Sequence, residues 1–160
     1  MRRCGGFTLI GLVAILTILG TLAVLTMEMR LRLLKEQSLE KSASAFVNIA
    51  QKYDLYYTTN CGAMFVVPAL SDLGLMVEET TGFQSSGPFT LGSHVTASGT
   101  RYLSVKSSFI TKGDAVTSVG LLGRGAKLEA DNLTVTFSFL PSLSTNPQAR
   151  KNWFGDVNCF

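Results

Sequence analysis

Phe7-Thr-Leu-Ile-Gly-Leu-Val-Ala-Ile-Leu-Thr-Ile-Leu-Gly-Thr-Leu-Ala-Val-Leu-Thr-Met27 is a run of 21 residues without one charged side chain. At the rise of an α-helix it would be about 31 Å long, the thickness of a bilayer's hydrocarbon core. Backbone that crosses lipid has to satisfy its own hydrogen bonds, which makes the run helical there. Arg2 and Arg3 precede it, and Glu28, Arg30, Arg32 and Lys35 follow. The two leading arginines favour a cytoplasmic N-terminus, while those beyond the run oppose that sign.

The same run skews the composition. The chain has 160 residues, 46% apolar and 16% charged, with a net charge of +3 and a mean hydropathy of +0.29. Outside residues 7–27 the apolar share is ordinary for a soluble domain. That length and balance fit one domain with a real core, and exclude a disordered chain or a basic nucleic-acid-coating tail. Three cysteines, Cys4, Cys61 and Cys159, are too few for a disulfide-dense scaffold and leave one over.

A cleaved secretory signal fits poorly. Its apolar core is usually shorter, and a small-residue cleavage site should follow, where this chain has Glu28-Met-Arg-Leu-Arg32. A lipoprotein signal fails because Cys4 precedes the apolar run. An unprocessed single-pass anchor stays open.

Beyond Met27 the pattern becomes amphipathic. Leu39, Ala43, Phe46, Ala50, Tyr53 and Tyr57 recur at helical spacing, with Glu36, Glu40, Ser44, Asn48 and Gln51 elsewhere on the turn. No Gly or Pro interrupts between Thr21 and Asn60, so one helix is expected from about Phe7 to Tyr57, stopped by Asn60-Cys61-Gly62. The aromatic stripe is read as core. Residues 62–99 read as an irregular connector with short elements, punctuated by Pro68, Ser71 to Gly74, and Thr80 to Pro88. The polar tip Thr80 to Gly87 reads as a solvated loop, with partner binding as the alternative.

The second half is rich in β-formers: Arg101 to Val105, Ala115 to Val119, and Leu133 to Leu140. In the last, Leu133, Val135, Phe137 and Phe139 alternate with Thr134, Thr136 and Ser138, which predicts one face laid on the Phe46/Tyr53 stripe. Asp114 and Gly123-Arg124-Gly125 read as turns, and residues 141–160 as a loop. The expected fold is α+β: a long N-terminal helix packed on a small antiparallel sheet.

Little here supports catalysis. The single His94 has no second His or Cys at ligand spacing, so neither a metal site nor a His-based nucleophile is built. Gly120 to Lys127 fails as a phosphate loop because Ala126 displaces the Lys and no Ser or Thr follows. Asn132-Leu-Thr134 fits a glycosylation triplet that occurs often by chance. No enzyme activity, catalytic residue, metal or cofactor is expected. Nucleic-acid binding is the remaining competitor: Arg101, Lys106, Lys112, Arg124 and Lys127 offer a weak basic patch, read with Asp114 as the opposing acid. A solvated face is the favoured reading of it.

Arg2-Arg-Cys-Gly-Gly-Phe-Thr-Leu-Ile10, with the run that follows, resembles the cleavage junction of type IV prepilins. The likeness is specific over Gly6 to Leu25 and architectural beyond. The short leader and Phe7 are closer to type IVa pilins and type II secretion pseudopilins than to type IVb pilins. The resemblance implies a leader at residues 1–6, a transmembrane and assembly half at 7–28, and a globular pilin domain at 29–160. It implies cleavage by prepilin peptidase between Gly6 and Phe7, N-methylation of Phe7, and assembly with other pilin or pseudopilin subunits at an inner-membrane platform. The protein would sit in the bacterial inner membrane, N-terminus inside, before entering a filament in the periplasm or outside the cell. Cleavage would remove Cys4 with Arg2 and Arg3, leaving Cys61 and Cys159 to form a disulfide in an oxidising compartment, with two free thiols as the alternative.

Two departures qualify the likeness. Most pilin-like chains carry Glu at the fifth mature residue, where this one has Gly11. Such a Glu neutralises the terminal amine of a neighbouring subunit, so Gly11 favours a tip or initiating position, as in the tip pseudopilin of type II secretion. A tolerated substitution is the alternative. Type IVa major pilins also have Pro after the membrane run, where this chain has Glu28, although Gly20 matches a Gly of those helices. The resemblance thus implies a minor type IV pilin. A type II secretion pseudopilin, or a DNA-binding competence minor pilin, is the alternative.

Overall fold

A computed structural model describes residues 9–60, 66–75, 82–83 and 86–142. The order is α1 (Leu9–Asn60), a 3-10 turn (Leu70–Leu73), β1 (Thr90–Val95), β2 (Arg101–Ser108), α2 (Lys112–Leu122), β3 (Ala126–Leu128) and β4 (Thr134–Phe139). The chain divides into two compact units, residues 1–37 and 38–160.

In the first unit, α1 runs unbroken through the apolar stretch, as the absence of Pro predicts. Its three threonines do not expose free hydroxyls. Thr17, Thr21 and Thr26 donate to the carbonyls of Ala14, Ile18 and Ala23 at 2.8–2.9 Å. In lipid that matters, because a hydroxyl without a partner is costly there.

The second unit is the α+β domain that the pattern predicts. Burial on α1 begins at Leu39 and follows one stripe through Ser42, Ala45, Phe46, Ile49, Ala50, Tyr53 and Tyr57. Against it stands a four-stranded antiparallel sheet in the order β1-β2-β4-β3. The register aligns Leu103 with Phe139, Val105 with Phe137, and Ser107 with Val135, so their face carries the core. Phe46 meets Phe89 edge to face at 4.9 Å, and Tyr53 meets Phe139 at 6.3 Å. The Tyr53 hydroxyl reaches the Gly92 carbonyl at 3.3 Å, giving a buried phenol its acceptor.

Two parts of the pattern turn out differently. Ala115 to Val119, expected as a strand, lies inside α2. Thr111 caps this helix, its Oγ1 accepting from the Asp114 N–H at 3.2 Å, so Asp114 is a buried first-turn residue instead of a turn tip. The helix wins because Ala115, Ser118, Val119 and Leu122 fall at helical spacing onto the core, while Val116 and Thr117 face out. It also solves a connection: β2 and β3 both pair antiparallel with β4, so they run parallel and need a crossover. The expected turn at Gly123 to Gly125 leads directly into β3, and β1 arises within the segment expected to be irregular.

Side-chain ties hold the connector on the domain. Lys52 Nζ donates to the Gly74 carbonyl at 3.1 Å, and Gly74 sits at φ 61°, which suits glycine. Ser42 and Ser86 share a buried hydroxyl contact at 3.1 Å, and Ser107 donates to the Gly87 carbonyl at 2.8 Å.

Candidate functional site

The sequence singles out two surfaces, the apolar helix and the basic residues of the sheet domain, and they differ in how far they are assembled.

The helix surface is formed. From Leu9 to Leu34 every large apolar side chain is exposed, from Leu9 and Ile10 at 79% and 81% down to Ile15 at 44%. This helix, covered by nothing among the described residues, is long and apolar enough to span a membrane. The exposed surface continues past the uncharged run through Met29, Leu31, Leu33 and Leu34. Gly11 lies in the first turns of α1, half-buried. Gly20, Thr21, Val24 and Leu25 line a shallow apolar notch farther along. A Cβ built on Gly20 meets nothing within 4 Å among the described residues, so their packing does not demand a glycine there. Gly6, Phe7, Cys61 and Cys159 lie outside the described residues, and so does any bond between the two cysteines.

The basic residues do not come together as one surface. In register, Thr90, Lys106, Thr136 and Lys127 make one row across the four strands, on the face away from the core. Arg101 opens β2 in alternation with Leu103 and Val105, on the core side, where its charge acts on Tyr53. Lys112 begins α2 and Arg124 sits in the turn after it, both exposed. Lys106 is committed to a carboxylate: its Nζ lies 3.0 Å from Glu129 Oε1. Thr136 Oγ1 donates to the same oxygen at 2.6 Å. These bonds, the Thr136 hydroxyl first, hold the Glu129 carboxyl below its ordinary pKa. Asp131 is held low in the same way, chiefly by the Thr134 hydroxyl at 2.6 Å and the N–H groups of Thr134 and Leu133.

Glu129 is therefore the residue that the charge pattern passes over. Its signal was present: an acid just past β3 with Thr136 and Lys106 one strand and two strands away. Reading it needs the strand order, which sequence alone does not supply.

Elsewhere the polar face carries small hydroxyls and one ring pair. His94 and Tyr102, directly opposite in register, stack at 5.3 Å with planes 8° apart. Gly92 lies close beside them: a Cβ there would come within 2.9 Å of the Ser104 hydroxyl, which would have to turn aside. Among the described residues no group of His, Cys, Asp and Glu is arranged to hold a metal ion. The Tyr53 hydroxyl is pushed up to about 12, mainly by burial. It belongs to the buried core.

No protein-family model, no curated protein and no solved structure matches the chain.

Proposed function

We propose that the chain is a minor type IV pilin-like subunit, made as a precursor and assembled into a filament through its N-terminal helix. One observation carries this: a single 52-residue helix whose two parts differ in what they expose. Its first part exposes apolar side chains on all sides, and its second part buries one stripe against an antiparallel sheet. The first suits lipid, then a bundle of like helices; the second anchors a domain outside. The junction Gly6-Phe7 supplies the point at which prepilin peptidase converts one state into the other.

Gly11 favours a terminal position in the filament, because the subunit presents its own amine but lacks a carboxylate for a neighbour's amine. This also keeps the pseudopilin alternative alive. The notch at Gly20 supports helix-to-helix assembly: a mid-helix glycine costs about 1 kcal/mol relative to alanine, and no close contact among the described residues repays it. The DNA-binding alternative is disfavoured by the pairing of Lys106 with Glu129 and by the scatter of Arg101, Lys112 and Arg124. The role is structural, with no chemistry of its own.

The test is processing. Co-expression with a prepilin peptidase should yield a shorter chain that begins at N-methylated Phe7, while cells lacking the peptidase keep the full-length form. An intact Met1 and identical mobility in both would overturn the proposal.

A further inference from the structure

Arg30 and Arg32 take no part in the packing described above. Both are exposed, and neither is hydrogen-bonded or ion-paired among the described residues. Their position along the helix is nonetheless specific. Taking Met27 as the end of the hydrocarbon, Arg30 lies about 4.5 Å farther along the axis and Arg32 about 7.5 Å, at 1.5 Å per residue. A bilayer's hydrocarbon is about 30 Å thick and the whole membrane about 40–45 Å, which leaves about 5–7.5 Å of headgroup on each side. Both guanidinium groups therefore fall in the phosphate layer. Lys35 lies about 12 Å out, beyond it.

The side chains between them fit the same layer. Met29, Leu31, Leu33 and Leu34 are all more than half exposed, which suits the boundary of acyl chain and headgroup better than water. Two positions apart on a helix means about 200° of rotation, so the arginines face opposite sides and girdle the helix. Guanidinium pairs with phosphate in a two-pronged, charge-assisted geometry. Glu28 sits a turn before Arg32 at the inner edge of the layer, and Glu36 lies outside it with Lys35. The two arginines exceed the one acid in the layer, leaving it net positive.

We infer that Arg30 and Arg32 form a collar that binds phospholipid phosphates where α1 leaves the membrane and selects anionic phospholipids around it. It rests on the membrane placement of residues 9–27. The collar fixes how deep the helix sits, and it has to be released when the subunit passes from bilayer to filament.

The test uses the full-length chain reconstituted in vesicles of phosphatidylcholine with a minor share of phosphatidylglycerol, and spin-labelled forms of each lipid. A cation near an anionic surface is worth about fivefold in local concentration, so the native chain should immobilise phosphatidylglycerol roughly five- to twentyfold in preference. Arg30→Gln with Arg32→Gln should bring that preference within about twofold of parity, while Arg30→Lys with Arg32→Lys keeps most of it. Millimolar inorganic phosphate should leave it unchanged; displacement would mean a site for free phosphate and would overturn the lipid assignment. Parity in the native chain, or unchanged preference in the Gln pair, would overturn the collar. Loss through Lys112→Gln with Lys127→Gln would move the contact to the sheet domain and overturn it too. Flotation with pure phosphatidylcholine vesicles separates the two levels: a chain that floats without preference refutes the collar alone, and one that does not float refutes the membrane placement.

Discussion

The backbone N–H of Ser142 donates to Asp54 Oδ1 at 2.9 Å, joining the end of the sheet to a helix residue 88 positions earlier. Pro141 beside it is buried, so the chain leaves β4 by turning onto the outer part of α1. Asp54 is only partly buried, yet the bond is charge-assisted and closes a long loop. Asp54→Ala should lower the unfolding free energy by about 1–2 kcal/mol, and Asp54→Asn by less, because its carbonyl still accepts. Urea unfolding of the detergent-solubilised chain measures both; equal stability in all three forms would remove the clamp from the account.

The same clamp bears on the cysteines. Asp54 stands seven positions before Cys61 in sequence, and Ser142 seventeen positions before Cys159. Chain length therefore does not bar the two sulfurs from meeting. Alkylation of chain purified from an oxidising compartment should label no thiol among Cys61 and Cys159 until reductant is added. Cys61→Ser should expose Cys159 to the reagent and lower stability by about 4–5 kcal/mol, the loop-closure value for a ring near 100 residues. Two reactive thiols in the untreated native chain would rule the bridge out.

The long helix, the core stripe and the central strands were legible because each obeys one simple period. Leu39, Phe46, Ala50, Tyr53 and Tyr57 recur at helical spacing and are all buried, while Ala43 at the stripe's edge is half-buried. Val135, Phe137 and Phe139 alternate with Thr134, Thr136 and Ser138, and their register sets the same division. Ala115 to Val119 misled because β-branched residues lie inside a short helix whose cap, Thr111, and buried contacts outweigh their propensity. β3 has three residues and β1 carries Gly92, so neither shows a usable alternation. The Lys106–Glu129 pair was not legible for another reason: the two are brought together only by strand order.

Alkali should unfold the domain through Tyr53. Its folded pKa, raised to about 12 by burial, exceeds the ordinary 10.0 of an exposed phenol. The neutral phenol is favoured in the fold, so its contribution is fully present below pH 10 and is lost as pH climbs towards 12. Denaturant midpoints followed across that window should fall more steeply for the native chain than for Tyr53→Phe. At pH 7 the variant should lose about 1 kcal/mol, the bond to Gly92. Parallel pH profiles would show that another group governs the alkaline limb.

Ser118 is a buried helix residue whose hydroxyl has no hydrogen-bond partner among the described residues. An orphaned hydroxyl in a core costs about 1–3 kcal/mol, and serine is a poorer helix former than alanine. Ser118→Ala should therefore stabilise the chain by about 1 kcal/mol, read as a higher urea midpoint at unchanged slope. Val119→Ala, which removes core packing one position along, should destabilise it, giving the comparison its opposite sign. A lower midpoint for Ser118→Ala would mean that the hydroxyl does have a partner.

Under the filament role proposed above, Gly11 is the residue that would place the subunit. A glycine in the first turns of a membrane helix contributes no packing, and a glutamate there would cost about 2.5–3.5 kcal/mol in lipid unless paired. In the proposed filament the pairing group would be the terminal amine of a neighbour, so a glutamate at this position would be stabilised only in the interior. Gly11→Glu should therefore move the subunit from filament ends to positions along the shaft. Gly11→Ala, which raises helix propensity without adding a carboxylate, should leave it at the ends. Immunogold counts on sheared filaments distinguish the two outcomes. If the native chain already labels the whole shaft, or if Gly11→Glu labels only the ends, the charge at this position does not decide where the subunit sits.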